Sequence, residues 1–447
     1  MEPLNANQAA ALANSSRLAI ENSFPRLKRY LGRDRWLSRD NRYRLRPKSV
    51  LKLDAKANTI NEEELVQYVA ASGTLHCSDG WSLLGRALAC HARGDTASAL
   101  HLAYYAELRA GVSILASQGI GVFDNPSVSV DSGGNCHLIR DCPTHRLAWL
   151  ALEKWADTQS AADLLVDILS VQGIRCREWL DNFQKSSVVN RKRIASKWLK
   201  SWGLDLRRFI DDREARNAAS YQPTRISPAA QVSALESSNF LCELWTLHEP
   251  SKSRFENLDR YLLRRILEET YRVRRGRLPK SDPKGFEADV ESMIEHMNPG
   301  GQTAEEWLQF FARKADSQDP SLISMAMNTR TPGSSHSHMQ VISRAVVMLR
   351  VATGAWSNLL GNAKLGKTEL EFWWESLAQD LGLWGDTTRP DNITDLWADV
   401  ASAITQLSGW AESNKATANY ANWQTECASG ISVLGSCERI GLWGLGL

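Results

Sequence analysis

The stretch that most constrains this chain is residues 81–118, WSLLGRALACHARGDTASALHLAYYAELRAGVSILASQ. Leu84 and Leu88 recur at helical spacing, and Gly94 follows where a helix would end, because glycine enters the left-handed conformation at little cost. Asp95 then offers a capping oxygen to a second helix. In that helix Leu100, Tyr104, Leu108 and Leu115 form a stripe of large residues, and Ala99, Ala103, Ala106 and Ala110 a stripe of small ones. The pattern predicts a helical hairpin that meets neighbouring helices closely on both faces and ends at Gly119.

A chain of 447 residues has room for two or three domains, each with a normal core. Its formal charge of +2 shows no global commitment to an anionic partner, so any basic surface must be local. Eight dispersed cysteines and the lack of an evident leader point to reduced thiols in a cytoplasmic protein rather than a disulfide framework. No apolar run approaches the roughly 20 residues of a transmembrane helix, so no membrane partner is expected. The 17 tryptophans fall at amphipathic positions from Trp36 to Trp443 and read as core anchors.

Along the chain, helical patterns recur near residues 7–22, 61–69, 145–151, 161–171, 175–183 and 188–202. They resume at residues 229–247, 255–274, 285–297, 303–315, 339–360, 370–381 and 393–406, ahead of an apolar, glycine-rich tail, IGLWGLGL. Residues 121–136 read as a loop in which Val128 and Val130 form a short extended piece. Residues 24–53 are a basic tract, FPRLKRYLGRDRWLSRDNRYRLRPKSVLKL, opposed only by Asp34 and Asp40. Its Arg39, Arg42, Arg44 and Arg46, interleaved with Trp36 and Tyr43, could hold a nucleic-acid backbone or face an acidic partner protein. Arg272, Arg274 and Arg275 belong to a second basic patch with the same two readings. Cys136, His137, Cys142 and His145 carry zinc-ligating atoms, but five residues separate the two cysteines and no second CxxC follows, and no metal is predicted.

Residues 203–223, GLDLRRFIDDREARNAASYQP, place Arg213, Arg216, Asn217 and Ser220 along one helix face. Two arginines and an asparagine beside a core require acids, phosphate or backbone to meet them, and Asp211, Asp212 and Glu214 are the nearest acids in the sequence. A hairpin carrying GDTASALHLAYYAELRAGVSIL, followed by further helices and a closing helix with adjacent Arg and Asn, resembles the HEPN superfamily and the helical domain of YaaC-like bacterial proteins. The resemblance covers roughly residues 62–222. It implies a site in which Arg216 stabilises charge on a phosphorane, Asn217 accompanies it, and a histidine four to six positions after the arginine transfers a proton, in a dimer that cleaves RNA without metal. Tyr221 stands where that histidine is expected, and a phenol with an ordinary pKa near 10 is a poor base at neutral pH. Among other Arg-to-His spacings, Arg86 to His91, Arg140 to His145 and Arg330 to His336, His145 is the one able to act with Arg216 through space.

GNAKLGKT, residues 361–368, matches the GxxxxGK[ST] pattern of a phosphate-binding loop, in which Lys367 would reach phosphate. Such a loop needs a strand before it, and the sequence before it is helical. The expectation is therefore an all-α, two-lobed protein: a basic arm at 1–60, an HEPN-like helical domain at 61–223 and a C-terminal helical domain at 224–447. The resemblance implies a helical subunit of a prokaryotic anti-phage defence complex that binds nucleic acid or partner proteins without efficient catalysis, working with protein partners or a second copy of itself. A metal-independent endoribonuclease using Arg216, Asn217 and either Tyr221 or His145 is the alternative, and nucleotide binding through Lys367 a second. No cofactor is expected.

Overall fold

The computed structural model describes residues 3–184, 191–202, 206–221, 232–251, 254–313, 319–327, 336–385 and 388–447. It is 71% helical, an all-α fold with 21 α-helices among the described residues. The N-terminal third holds α1 (Ala6–Ala13), α2 (Arg17–Leu31), α3 (Pro47–Ala57), α4 (Glu62–Ala92) and α5 (Thr96–Ser117). A small antiparallel meander follows: β1 (Ile120–Gly121), β2 (Ser127–Val130) and β3 (Cys136–Ile139), with Ser129 facing His137 and Val130 facing Cys136. Next come α6 (Thr144–Ala156), α7 (Gln159–Ile168), the hairpin β4 (Ser170–Val171) and β5 (Ile174–Arg175), then α8 (Cys176–Gln184), α9 (Arg191–Ser201) and α10 (Leu206–Tyr221). Gln172 and Gly173 join β4 to β5 with φ of 56° and 73°, the left-handed pair that a two-residue hairpin turn requires.

The second half runs through α11 (Ala234–Thr246), α12 (Glu256–Arg275), α13 (Pro283–Met297), α14 (Ala304–Ala312), α15 (Ser321–Met327) and α16 (Ser337–Asn362). It closes with α17 (Glu371–Asp380), α18 (Trp397–Ser413), α19 (Tyr420–Glu426), α20 (Ala428–Leu434) and α21 (Glu438–Leu445). None of the described helices is long and apolar enough to cross a membrane.

The hairpin forms as its sequence predicts. Asn61 caps α4 by accepting from the Glu64 amide, Gly94 takes φ 73°, Asp95 caps α5 by accepting from the Ser98 amide, and Gly119 takes φ 81° beyond its end. What the hairpin meets is α16, a helix buried around most of its circumference. Gly73 and Gly80 lie one heptad apart on α4, under Trp356 and Leu349, also one heptad apart on α16. A Cβ at Gly73 would stand 1.9 Å from a Trp356 ring carbon, and one at Gly80 2.6 Å from a Leu349 methyl. The seam is pinned by polar contacts: Trp356 Nε1 donates to the Ser113 carbonyl at 3.1 Å, Trp81 Nε1 to Thr353 Oγ1 at 2.9 Å, and Ser113 Oγ to the Gly73 carbonyl at 2.8 Å. Ala103, Ala106 and Ala110 are fully buried between these helices. Ala106→Leu should overpack the seam and destabilise the chain by about 1–3 kcal/mol, read as a lower melting temperature.

The packing adds detail to the sequence picture in three places. Within the basic arm at residues 1–60, α1–α3 bury Ile20, Phe24, Leu27, Leu31, Tyr43 and Leu51. Among the described residues one hydrophobic cluster runs from Ala11 to Leu447, and Pro223 lies outside the described residues. The C-terminal segment is α21 rather than a tail: Gly441 lies against Trp81, and Gly444 against Phe255 and Thr353, so its glycines serve close packing between helices. All 17 tryptophans are buried or half-buried, as their amphipathic positions imply.

Candidate functional site

α10 lies against α5 and α6. The orientation is set by a buried ion network in which Arg344 of α16 meets Glu107 of α5, Nε to Oε1 at 3.3 Å, and Asp212 of α10. All three side chains are fully buried. Burial works against the Arg344 charge, but Asp212 and Glu107 more than offset it and leave its pKa raised. Asp212, one turn before Arg216 on α10, thus ties this helix to α16.

One turn on, the Arg216 guanidinium carbon stands 5.4 Å from the Tyr104 ring centre and 5.3 Å from that of Tyr105. His145, at the start of α6, stacks on the same Tyr104 at 5.8 Å and 22°, with its Nδ1 2.9 Å from the Tyr104 hydroxyl. His101, one turn before the two tyrosines on α5, packs on Tyr105 with ring centres 5.1 Å apart. Trp149 closes the inner side of Tyr104 edge-on at 6.1 Å. The cluster is half-buried: Tyr104 is fully enclosed, while His101, Tyr105, His145, Arg213, Arg216 and Asn217 are partly exposed.

Its electrostatics favour neutral imidazoles beside fixed positive charge. Burial, then Arg216, then Arg213 hold the His145 pKa below its ordinary 6.5. Burial and then Arg216 do the same to His101. Burial pushes the Tyr104 phenol up to about 12, so it stays protonated. A neutral base, cationic groups and aromatic faces at one half-buried spot can receive an anion with a stackable ring and move a proton from it.

The positions singled out in the sequence fare differently. Arg216 and His145 are brought together on Tyr104, from helices that the sequence separates widely. Asn217 follows Arg216 on α10 without a side-chain hydrogen bond to any described residue. The Tyr221 side chain lies outside the described residues. His101 and Tyr105 were not foreseen as site residues, although their placement with Tyr104 at i, i+3 and i+4 is a legible signal. The Arg86–His91 spacing forms no site, since His91 is buried with Nδ1 2.8 Å from His338 Nε2 while Arg86 is exposed. Arg330 lies outside the described residues.

The zinc-type residues go separate ways: His137 bonds Asp131 at 3.0 Å and His145 bonds Tyr104. No group of three or more His, Cys, Asp or Glu is arranged to hold a metal among the described residues. In the basic tract, Arg42 bonds Asp54 at 2.6 Å, whereas Arg39, Arg44 and Arg46 are exposed. The second patch is engaged internally, with Arg272 on Glu269 and Arg274 and Arg275 both on Asp289. Residues 361–368 join α16 to α17, so a helix stands where a phosphate loop needs its strand. Lys367 there reaches the Asp391 carbonyl at 3.1 Å and lies over the Trp374 ring at 5.8 Å. No family model matches this chain, and it has no significant match among curated proteins or solved structures.

Proposed function

We propose that the α5–α6–α10 cluster binds the phosphodiester of single-stranded RNA and cleaves it without metal, with His145 as general base. The observation that carries this reading is the meeting of Arg216 and His145 on one buried tyrosine, with the His145 pKa held below its ordinary value. With His145 Nδ1–H donating to the Tyr104 hydroxyl, Nε2 is the basic nitrogen, and Tyr104 fixes the ring's orientation. That nitrogen takes the proton of a ribose 2′-hydroxyl as its oxygen attacks the adjacent phosphorus; the P–O5′ bond breaks, leaving a 2′,3′-cyclic phosphate, and the departing 5′-oxygen takes a proton from water. Arg216 and Arg213 supply positive charge where negative charge grows on the phosphate oxygens. Tyr105 offers a ring on which an unpaired base can stack, and the exposed Arg39, Arg44 and Arg46 offer contacts to a backbone elsewhere on the surface. The reading takes up the nuclease alternative implied by the HEPN resemblance, with His145 in the role that Tyr221 fills poorly.

Its pH dependence follows from the direction of the His145 shift. A depressed pKa keeps the imidazole neutral to below pH 6.5, so the acid limb of the rate profile should fall below that value. Arg213→Gln removes one of the charges that depress it, so the limb should move up towards 6.5, and the maximal rate should fall because a charge facing the phosphate is lost with it. An acid limb unmoved by Arg213→Gln would exclude His145 as the titrating group.

A further inference from the structure

A cavity of about 530 Å³ lies away from this cluster, where the end of α9 meets α12, α13 and α14. Trp198, Trp202 and Phe286 form its apolar wall, with Leu278 and Pro279 at its lip. Both tryptophans are only 2% exposed, and neither indole N–H has a hydrogen-bond partner among the described residues.

The polar side of the cavity is unequal in charge. Arg265, Arg272, Lys280 and Arg313 face it with Glu268 and Glu269 as the acids of the lining. The acids are already engaged, Glu268 by Arg264 and Arg265 and Glu269 by Arg272. Arg265 and Arg313 also converge on the buried Asp319. Lys280 is different. It is exposed, stands beside the apolar lip, and makes no ion pair with a described residue.

We propose that this cavity binds a small amphipathic monoanion, its apolar body against Trp198, Trp202 and Phe286 and its carboxylate at Lys280. An apolar enclosure with a few convergent polar groups is the usual form of a small-molecule site. The surplus of positive charge selects an anion over a cation of the same shape.

Isothermal titration of the full chain with decanoate, and with decylamine as its cationic counterpart, tests this. Decanoate should bind at one site per chain and decylamine should not. Lys280→Glu, a change at the surface, should weaken decanoate by at least about tenfold, and Ala312→Phe, which fills the cavity from α14, should abolish the site. The melting temperature of each variant shows that it is folded. Should Ala312→Phe fail to fold, Lys280→Glu alone decides. Failure of decanoate to bind at about 1 mM, equal binding of decylamine, or binding indifferent to Lys280→Glu in folded protein would overturn the proposal. None of these outcomes depends on RNA, so the two readings stand or fall separately.

Discussion

Replacing Arg344 with methionine is expected to destabilise the chain by about 3–5 kcal/mol, because it leaves two carboxylates buried without their cation. Glu107 on α5 and Asp212 on α10 are both fully buried, and Arg344 of α16 is the group that ties them together. Methionine keeps the unbranched apolar stem but removes the charge and all five donors, so the loss is chiefly that of the buried charge balance. The triple replacement Arg344→Met, Glu107→Leu, Asp212→Leu removes the charges as a set and should recover most of the stability, since an apolar cluster of similar volume packs without desolvating ions. Urea denaturation measures both. A loss below about 1 kcal/mol for Arg344→Met, the scale of an exposed ion pair, would mean that the network does not hold α10 in place.

That network matters to the site because Asp212 lies one turn before Arg216 on α10. Arg216→Ala is expected to lower RNA cleavage by about 10²–10³-fold, the effect of removing one donor aimed at a developing oxyanion. Its stacking on tyrosine contributes about 0.5–2 kcal/mol, and the melting temperature of the variant separates loss of chemistry from loss of fold. Arg216→Lys should recover only part of the rate, because it keeps the charge but loses the planar fork that grips two phosphate oxygens. An Arg216→Ala protein that unfolds, or that cleaves normally, would make Arg216 a structural residue.

Much of the fold was legible because its signals are local. Asn61, Gly94, Asp95 and Gly119 mark the ends of α4 and α5 within a few residues of where they act. The site was legible in part. Arg216 stands out beside Asn217 on a helix face, but its histidine comes from α6, and only the tertiary packing on Tyr104 joins the two. Arg344 was hidden in a segment that reads as apolar, and its partners lie more than 130 residues away in sequence, 237 for Glu107 and 132 for Asp212. The C-terminal IGLWGLGL misled for a related reason: glycine weakens a helix in isolation, yet here Gly441 and Gly444 are where the Trp81 and Phe255 rings make close contact.

The most direct measurement is incubation of purified protein with end-labelled single-stranded RNA in EDTA, beside DNA of the same sequence, for the native chain and His145→Gln. His145→Gln keeps a hydrogen-bonding side chain next to Tyr104 but has no group that titrates near neutrality. The account predicts that the native chain cuts RNA and leaves DNA intact, because the nucleophile is the 2′-hydroxyl, and that His145→Gln binds RNA but does not cut it. RNA left whole by the native chain, or cut equally by His145→Gln, would contradict it.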